Sequence, residues 1–267
     1  MVEGWNSVGQ GNGAKSRMDV IPQGATEGQM LMDGMQTMAS VIEQETEHWL
    51  LQFDAEKLAA LDRIDSVVVV GPSGSGKSTL VNAARAWTQS DGVSEGFAVP
   101  QRVVSRPQRM NDNLVENRFA ATPQEFEEMT KGGIRWDREM EDGRKEQYGF
   151  EPVPQNAIPI YSANNAFLSP EAYLSGAPAD FNEHALVFCV YAAPWVRSDR
   201  LQERSPDMKS GEREKRLKDM PKYVGERSHI TIRTRDIEKE QLLSAKAMLV
   251  MLRTLAKIKK TKQEAAL

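Results

Sequence analysis

The sequence predicts an α/β fold: a five-stranded parallel sheet flanked by helices, with an arginine-rich helical lid. Three observations predict it. Val67 to Val70 is a run of β-branched residues with no helical spacing, as suits a strand buried on both faces. Directly after it stands Gly71-Pro72-Ser73-Gly74-Ser75-Gly76-Lys77-Ser78-Thr79, a full G-x-x-x-x-G-K-[ST] match. Further on, apolar runs alternate with segments of helical spacing, the pattern of a parallel sheet with crossover helices.

The motif carries the chemistry of a phosphate-binding loop, the P-loop. Its glycines bring backbone N–H groups close to phosphate oxygens. The helix that opens near Lys77 adds unpaired amides and the positive end of its dipole. Lys77 is expected to reach the β- and γ-phosphates of a nucleoside triphosphate, and Ser78 to ligate Mg²⁺. The ATP-binding set read from this stretch is therefore Gly71, Pro72, Ser73, Gly74, Ser75, Gly76, Lys77, Ser78 and Thr79.

Composition narrows the class. A chain of 267 residues holds one large or two small domains and can bury a substantial core. With 34 basic against 38 acidic residues, net charge −4, there is no electrostatic case for a nucleic-acid partner. Cys189, the single cysteine, lies within the apolar run Ala185–Tyr191 and reads as a core residue in a reducing compartment. No apolar run approaches the roughly 20 residues of a membrane span, and the N-terminus lacks the apolar region of a secretory signal. The expectation is a cytoplasmic protein without a membrane partner.

Along the chain, residues 1–34 are rich in Gly, Gln, Asn and Ser and read as a disordered leader. Residues 35–64 hold one or two amphipathic helices, with Met38, Val41, Ile42, Trp49, Leu50, Phe53, Leu58 and Leu61 at spacings of three and four. The stretch 35–61 could pack on the next domain, form a homodimer or dock a partner protein. The nucleotide domain spans 65–256. Its further strands are expected at Val99–Ser105, centred on Val103 and Val104, at Ala157–Ser162, at His184–Ala192 and at Ser228–Thr234, with a long closing helix up to about Ile258 and a solvated tail over 257–267. Thr122-Pro123-Gln124-Glu125 starts a short helix, with Thr as N-cap and Glu three residues on. Residues 135–150 read as a polar loop or hairpin. The histidines, His48, His184 and His229, show no metal-ligand spacing.

Two arginine groups extend the reading from binding to reaction. Arg106 and Arg109 sit three apart just beyond a strand end, where open parallel sheets collect ligands. Two guanidinium forks there could hold an acceptor's phosphate. Arg200, Arg204, Arg213 and Arg216 spread over a helix–loop–helix at about 196–220. As a mobile basic flap, it would exclude water and stabilise a transferring phosphoryl group.

From about Ser66 to Leu252, these stretches in this order resemble the guanylate kinase-like group of P-loop kinases, including its ribose 1,5-bisphosphate phosphokinase branch. GPSGSGKSTL resembles the opening motif and SRPQR the acceptor-phosphate motif. The resemblance implies that Arg106, Arg109 and Tyr148 hold the acceptor and that Arg204 and Arg216 are catalytic lid residues beside Lys77. It also implies that Thr234 stands where the group has an adenine-side asparagine. Arg135 occupies the position of the glutamate that reads guanine, and Ser162 or Asn164 lies nearest that of an aspartate. An arginine offers no acceptor to guanine N–H groups and suits a second phosphate better. The implied activity is ATP- and Mg²⁺-dependent transfer to a small phosphorylated acceptor, a GMP-like nucleotide or ribose 1,5-bisphosphate. Two other classes fit the residues: an ATP-binding interaction or regulatory protein, and a P-loop ATPase of a larger assembly.

Overall fold

The computed structural model describes residues 61–89, 96–108, 114–139, 143, 145–163, 167, 174–178, 180–206, 208–218, 230–234 and 238–265. The expected leader, the helical stretch up to residue 60, Arg109, Asn164, His48 and His229 lie outside the described residues. In chain order the elements begin with β1 (Ser66–Val70), α1 (Lys77–Gln89), β2 (Phe97–Ala98), β3 (Arg102–Val104) and β4 (Asn117–Phe119). Next come α2 (Pro123–Met129), β5 (Arg135–Glu139), β6 (Lys145–Phe150), β7 (Ile158–Ser162) and α3 (Phe181–His184). The chain ends with β8 (Ala185–Tyr191), α4 (Pro194–Arg204), α5 (Ser210–Lys218), β9 (Ile230–Arg233) and α6 (Glu238–Ala265).

β1 lies at the centre of a parallel sheet between β7 and β8, with β9 beyond β8. Its four valines divide by strand alternation. Val67 and Val69 join Leu80, Val81 and Ala84 of α1 and Met248, Leu249 and Leu252 of α6. Val68 and Val70 face the other way, into an aromatic cluster. Both faces are covered, which is why the strand reads as an unbroken apolar run.

The expected second strand belongs elsewhere. Val103 and Val104 sit on β3 in a separate four-stranded sheet of order β4-β3-β6-β5, with β3–β6 and β5–β6 antiparallel. The parallel sheet therefore has four full strands, and only the two-residue β2 lies alongside β7, at Phe97↔Ile158 and Ala98↔Pro159. Both valines are buried because β3 is sandwiched: Val103 packs on Phe126 of α2, and Val104 on the aromatic cluster. A short apolar strand looks the same in sequence whether helices or a helix and a sheet cover it. β4, unanticipated, pairs parallel to β3 from Arg102↔Asn117 to Val104↔Phe119. Residues 135–150 form the expected hairpin as β5 and β6.

This small sheet covers the face of the large one that α1 and α6 leave open. Trp136, Tyr148 and Phe150 pack with Tyr161, Phe167 and Phe181 between the two sheets. Trp136 and Tyr148 are stacked at 5.6 Å and 18°. Phe150 and Tyr161 lie 4.6 Å apart.

α2 is built as its residues require. The Thr122 hydroxyl accepts from the Glu125 N–H at 3.1 Å, while the Glu125 carboxylate accepts from the Ala121 N–H at 2.7 Å. Two helix-end donors are thus satisfied. Thr122→Ala is expected to cost about 1 kcal/mol, read as a lower urea midpoint at unchanged m-value; an unchanged midpoint would show that the cap contributes nothing. α6 continues through the stretch expected as a solvated tail as far as Ala265, and Lys259 donates to the Asp62 carbonyl. Among the described residues no helix is long and apolar enough to cross a membrane.

Candidate nucleotide site

The parallel register gathers strand ends on one edge of the sheet. Val69 pairs with Ser162, Val70 with Cys189, and Tyr191 with Arg233. Consequently Gly71, Ser162 and Thr234 all lie just at or past their strands' carboxyl ends, where such sheets bind ligands. A cavity of about 200 Å³, lined by Asp65, Ser66, Glu151 and Pro159 among others, lies at the opposite end of the strands. It is remote from the loop.

The glycine-rich loop leaves β1 through Gly71 and turns into α1 at Lys77. Two of its glycines are sterically obligatory. A Cβ on Gly71 would run into the Val190 carbonyl oxygen, a backbone atom of the neighbouring strand. Gly74 has φ +78°, and a Cβ there would lie 3.0 Å from the Arg197 carbonyl oxygen. Inside the loop, Ser75 N–H donates to the Pro72 carbonyl at 3.2 Å, and Lys77 Nζ donates to the Gly71 carbonyl at 3.1 Å. The ammonium is thereby held over the loop it belongs to.

Three successive loop carbonyls accept from side chains of other elements. Arg197 Nε donates to Ser73 O at 3.0 Å, Arg200 Nη1 to Gly74 O at 3.2 Å, and Thr234 Oγ1 to Ser75 O at 2.6 Å. Arg200 Nη1 also donates to Thr234 Oγ1 at 3.2 Å. A trans peptide points its C=O and N–H in opposite directions, and the described residues hold no cis bond. With the Ser73 and Ser75 carbonyls held by Arg197 and Thr234, the N–H groups of Gly74 and Gly76 point away from those braces. Amides so turned can contribute to an anion nest.

Ser78 and Thr79 open α1 at the loop's far end. Cys189, on β8 behind the loop, is buried; desolvation pushes its thiol up to about 11 despite the opposing pull of the Lys77 charge. It stays a neutral core group, as its sequence context suggested.

The residues expected around the acceptor are distributed over both sheets. Ser162 is buried at the end of β7. Arg106 follows β3, with its guanidinium 5.4 Å above the Phe119 ring and Nη1 donating to its neighbour Pro107 O. Tyr148 donates its hydroxyl to Glu146 at 2.5 Å, and both are buried on the inner face of the small sheet. Arg135 is not brought to that face. Trp136 points inward with Tyr148, so by alternation Arg135 points outward, where it pairs with Glu127 of α2.

α4 and α5 form the expected helix–loop–helix. Arg204 ends α4, and Arg216 lies in the last turn of α5. Thr234, expected on the adenine side, braces the loop at Ser75. The sequence reading passed over Arg197 and Glu146. Arg197, Arg200 and Arg204 stand at i, i+3 and i+7 on α4, a spacing that places them along one helical face; that was the available signal for Arg197.

No family model matches the chain, and no curated protein matches it. Among solved structures, the chain is similar to guanylate kinase from Anaplasma phagocytophilum, at 15% identity over 70% of this chain and 85% of that one, with a TM-score of 0.39.

Proposed function

We propose that the protein is an ATP- and Mg²⁺-dependent kinase that transfers the γ-phosphoryl group to a phosphate oxygen of a small acceptor. One observation carries the reading: the Ser73 and Ser75 carbonyls are held by Arg197 and Thr234, which leaves the N–H groups of Gly74 and Gly76 turned away from those braces and open to an anion, with Lys77 at the same loop. These residues fit a triphosphate. Gly74, Gly76 and Lys77 would hold its phosphates and Ser78 the Mg²⁺, whose chemistry is to neutralise charge on the transferring group. Arg204 and Arg216 would add charge from the lid. An acceptor phosphate is already ionised, so the chain has to supply position and charge rather than a strong base. Arg106, Arg109, Ser162 and Tyr148 are the acceptor-side candidates, for a GMP-like nucleotide or ribose 1,5-bisphosphate. The motif series read from sequence, from the P-loop to the lid, supports the same assignment.

A second reading has its own observation. Arg135 is turned to Glu127, and the Tyr148 hydroxyl is given to Glu146. Those commitments would suit an ATP-binding interaction protein that no longer transfers. An acceptor screen separates the two: ATP and Mg²⁺ with GMP, other monophosphates and ribose 1,5-bisphosphate, followed by product mass analysis. A kinase phosphorylates at least one of them. If ATP binds and none gains a phosphate, the interaction reading replaces it; hydrolysis without an acceptor would point to an ATPase.

A further inference from the structure

Arg197 is the largest fully buried side chain among the described residues, with 0% of its surface exposed. A guanidinium cannot shed its charge, so burial requires that its N–H donors be met by acceptors. Nε donates to Ser73 O of the P-loop at 3.0 Å. Nη2 donates to Arg216 O at 2.6 Å and Nη1 to Leu217 O at 3.2 Å. Arg216 and Leu217 belong to the last turn of α5, where a helix leaves carbonyls without intrahelical partners and its dipole favours a cation. One planar fork therefore caps the second lid helix and grips the nucleotide loop.

We propose that Arg197 is a positioning residue that couples occupation of the P-loop to the order of α5. The coupling rests on the nucleotide-binding reading given above. The Ser73 carbonyl held by Arg197 and the Gly74 N–H belong to one peptide plane. An anion accepting from that N–H polarises the plane and strengthens the Ser73 O bond to Arg197. The same guanidinium holds the α5 carbonyls, so a loop fixed by its ligand fixes α5, and with it the backbone position of Arg216. Conversely, if α5 swings away, it strands a buried cation. The lid thus has an anchored end at Arg216–Leu217.

Hydrogen–deuterium exchange on the full chain tests this, with a non-hydrolysable ATP analogue and Mg²⁺ as the probe. Bound analogue is expected to slow amide exchange in the last turn of α5 about tenfold, an ordinary size for coupling between linked sites. In Arg197→Met, folded by circular dichroism, the analogue should still bind in a fluorescence titration but leave α5 exchange unchanged. Arg197→Lys, which keeps the charge and some donors, should recover part of the protection. If the wild type binds the analogue and α5 is not slowed, the coupling is overturned while the nucleotide reading stands. Full protection in Arg197→Met, or none in Arg197→Lys, also overturns it. A wild type that binds no analogue overturns both readings. Should Arg197→Met fail to fold, the wild-type exchange result decides.

Discussion

On the proposed kinase reading, Lys77→Ala is expected to lower phosphoryl transfer by about 10²–10³-fold, the usual loss when one preorganised charge donor is removed from a transition state, and to leave the fold intact. The two halves of that expectation have separate causes. Lys77 is only partly buried, and its ammonium donates to Gly71 O within the same loop. Its loss therefore exposes no core surface and strands no deeply buried donor. A net hydrogen bond of this kind contributes about 1 kcal/mol, too little to unfold a domain of this size. The charge, by contrast, has no substitute at its position. Arg197 and Arg200 lie close by, yet both are committed to loop carbonyls, so neither is placed to take over without releasing the loop. The measurement is turnover with whichever acceptor the screen identifies, alongside a urea melt. Unchanged turnover in Lys77→Ala would remove this loop from the reaction; a collapsed melt would mean the side chain is structural.

The contrast shows which parts of the molecule were legible in sequence. β1, the loop and α1 were readable because each is specified locally: β-branched residues, glycines at fixed offsets and a helical pattern. The capped α2 was readable for the same reason, since Thr122 and Glu125 act within one turn. β3 was misplaced because burial on both faces carries no information about which sheet a strand joins. The hydrogen-bonding partners of Val103–Val104 are settled by a hairpin some forty residues later. Arg135 shows a second limit, because one step along a strand reverses the face: Trp136 packs with Tyr148 while Arg135 pairs with Glu127. Arg197 was overlooked because an arginine in a helix rich in charged residues reads as part of a solvated face. Only the tertiary arrangement shows that Ser73 and the end of α5 converge on it.

Gly71→Ala is expected to destabilise the fold by about 3 kcal/mol or more, as overpacking against an immovable partner does, and to abolish nucleotide binding. The added methyl would meet the Val190 carbonyl oxygen and, at 2.8 Å, Ser75 Oγ. The serine hydroxyl could rotate. The carbonyl could not, because β8 runs parallel to β1 from Ser66↔Ala185 to Val70↔Cys189, immediately before the loop. Moving Val190 would strain the pairing of β8 with both β1 and β9, where Val190 sits opposite Ile232. Moving Gly71 instead would shift the loop off its braces at Ser73, Gly74 and Ser75. Gly211→Ala makes the control: the same added methyl, on α5, meets nothing within 4 Å, so it should gain about 0.5–1 kcal/mol from helix propensity. Urea midpoints of the two variants should therefore move in opposite directions. If Gly71→Ala keeps both the wild-type midpoint and ATP affinity, the close approach between loop and β8 is not what shapes this site.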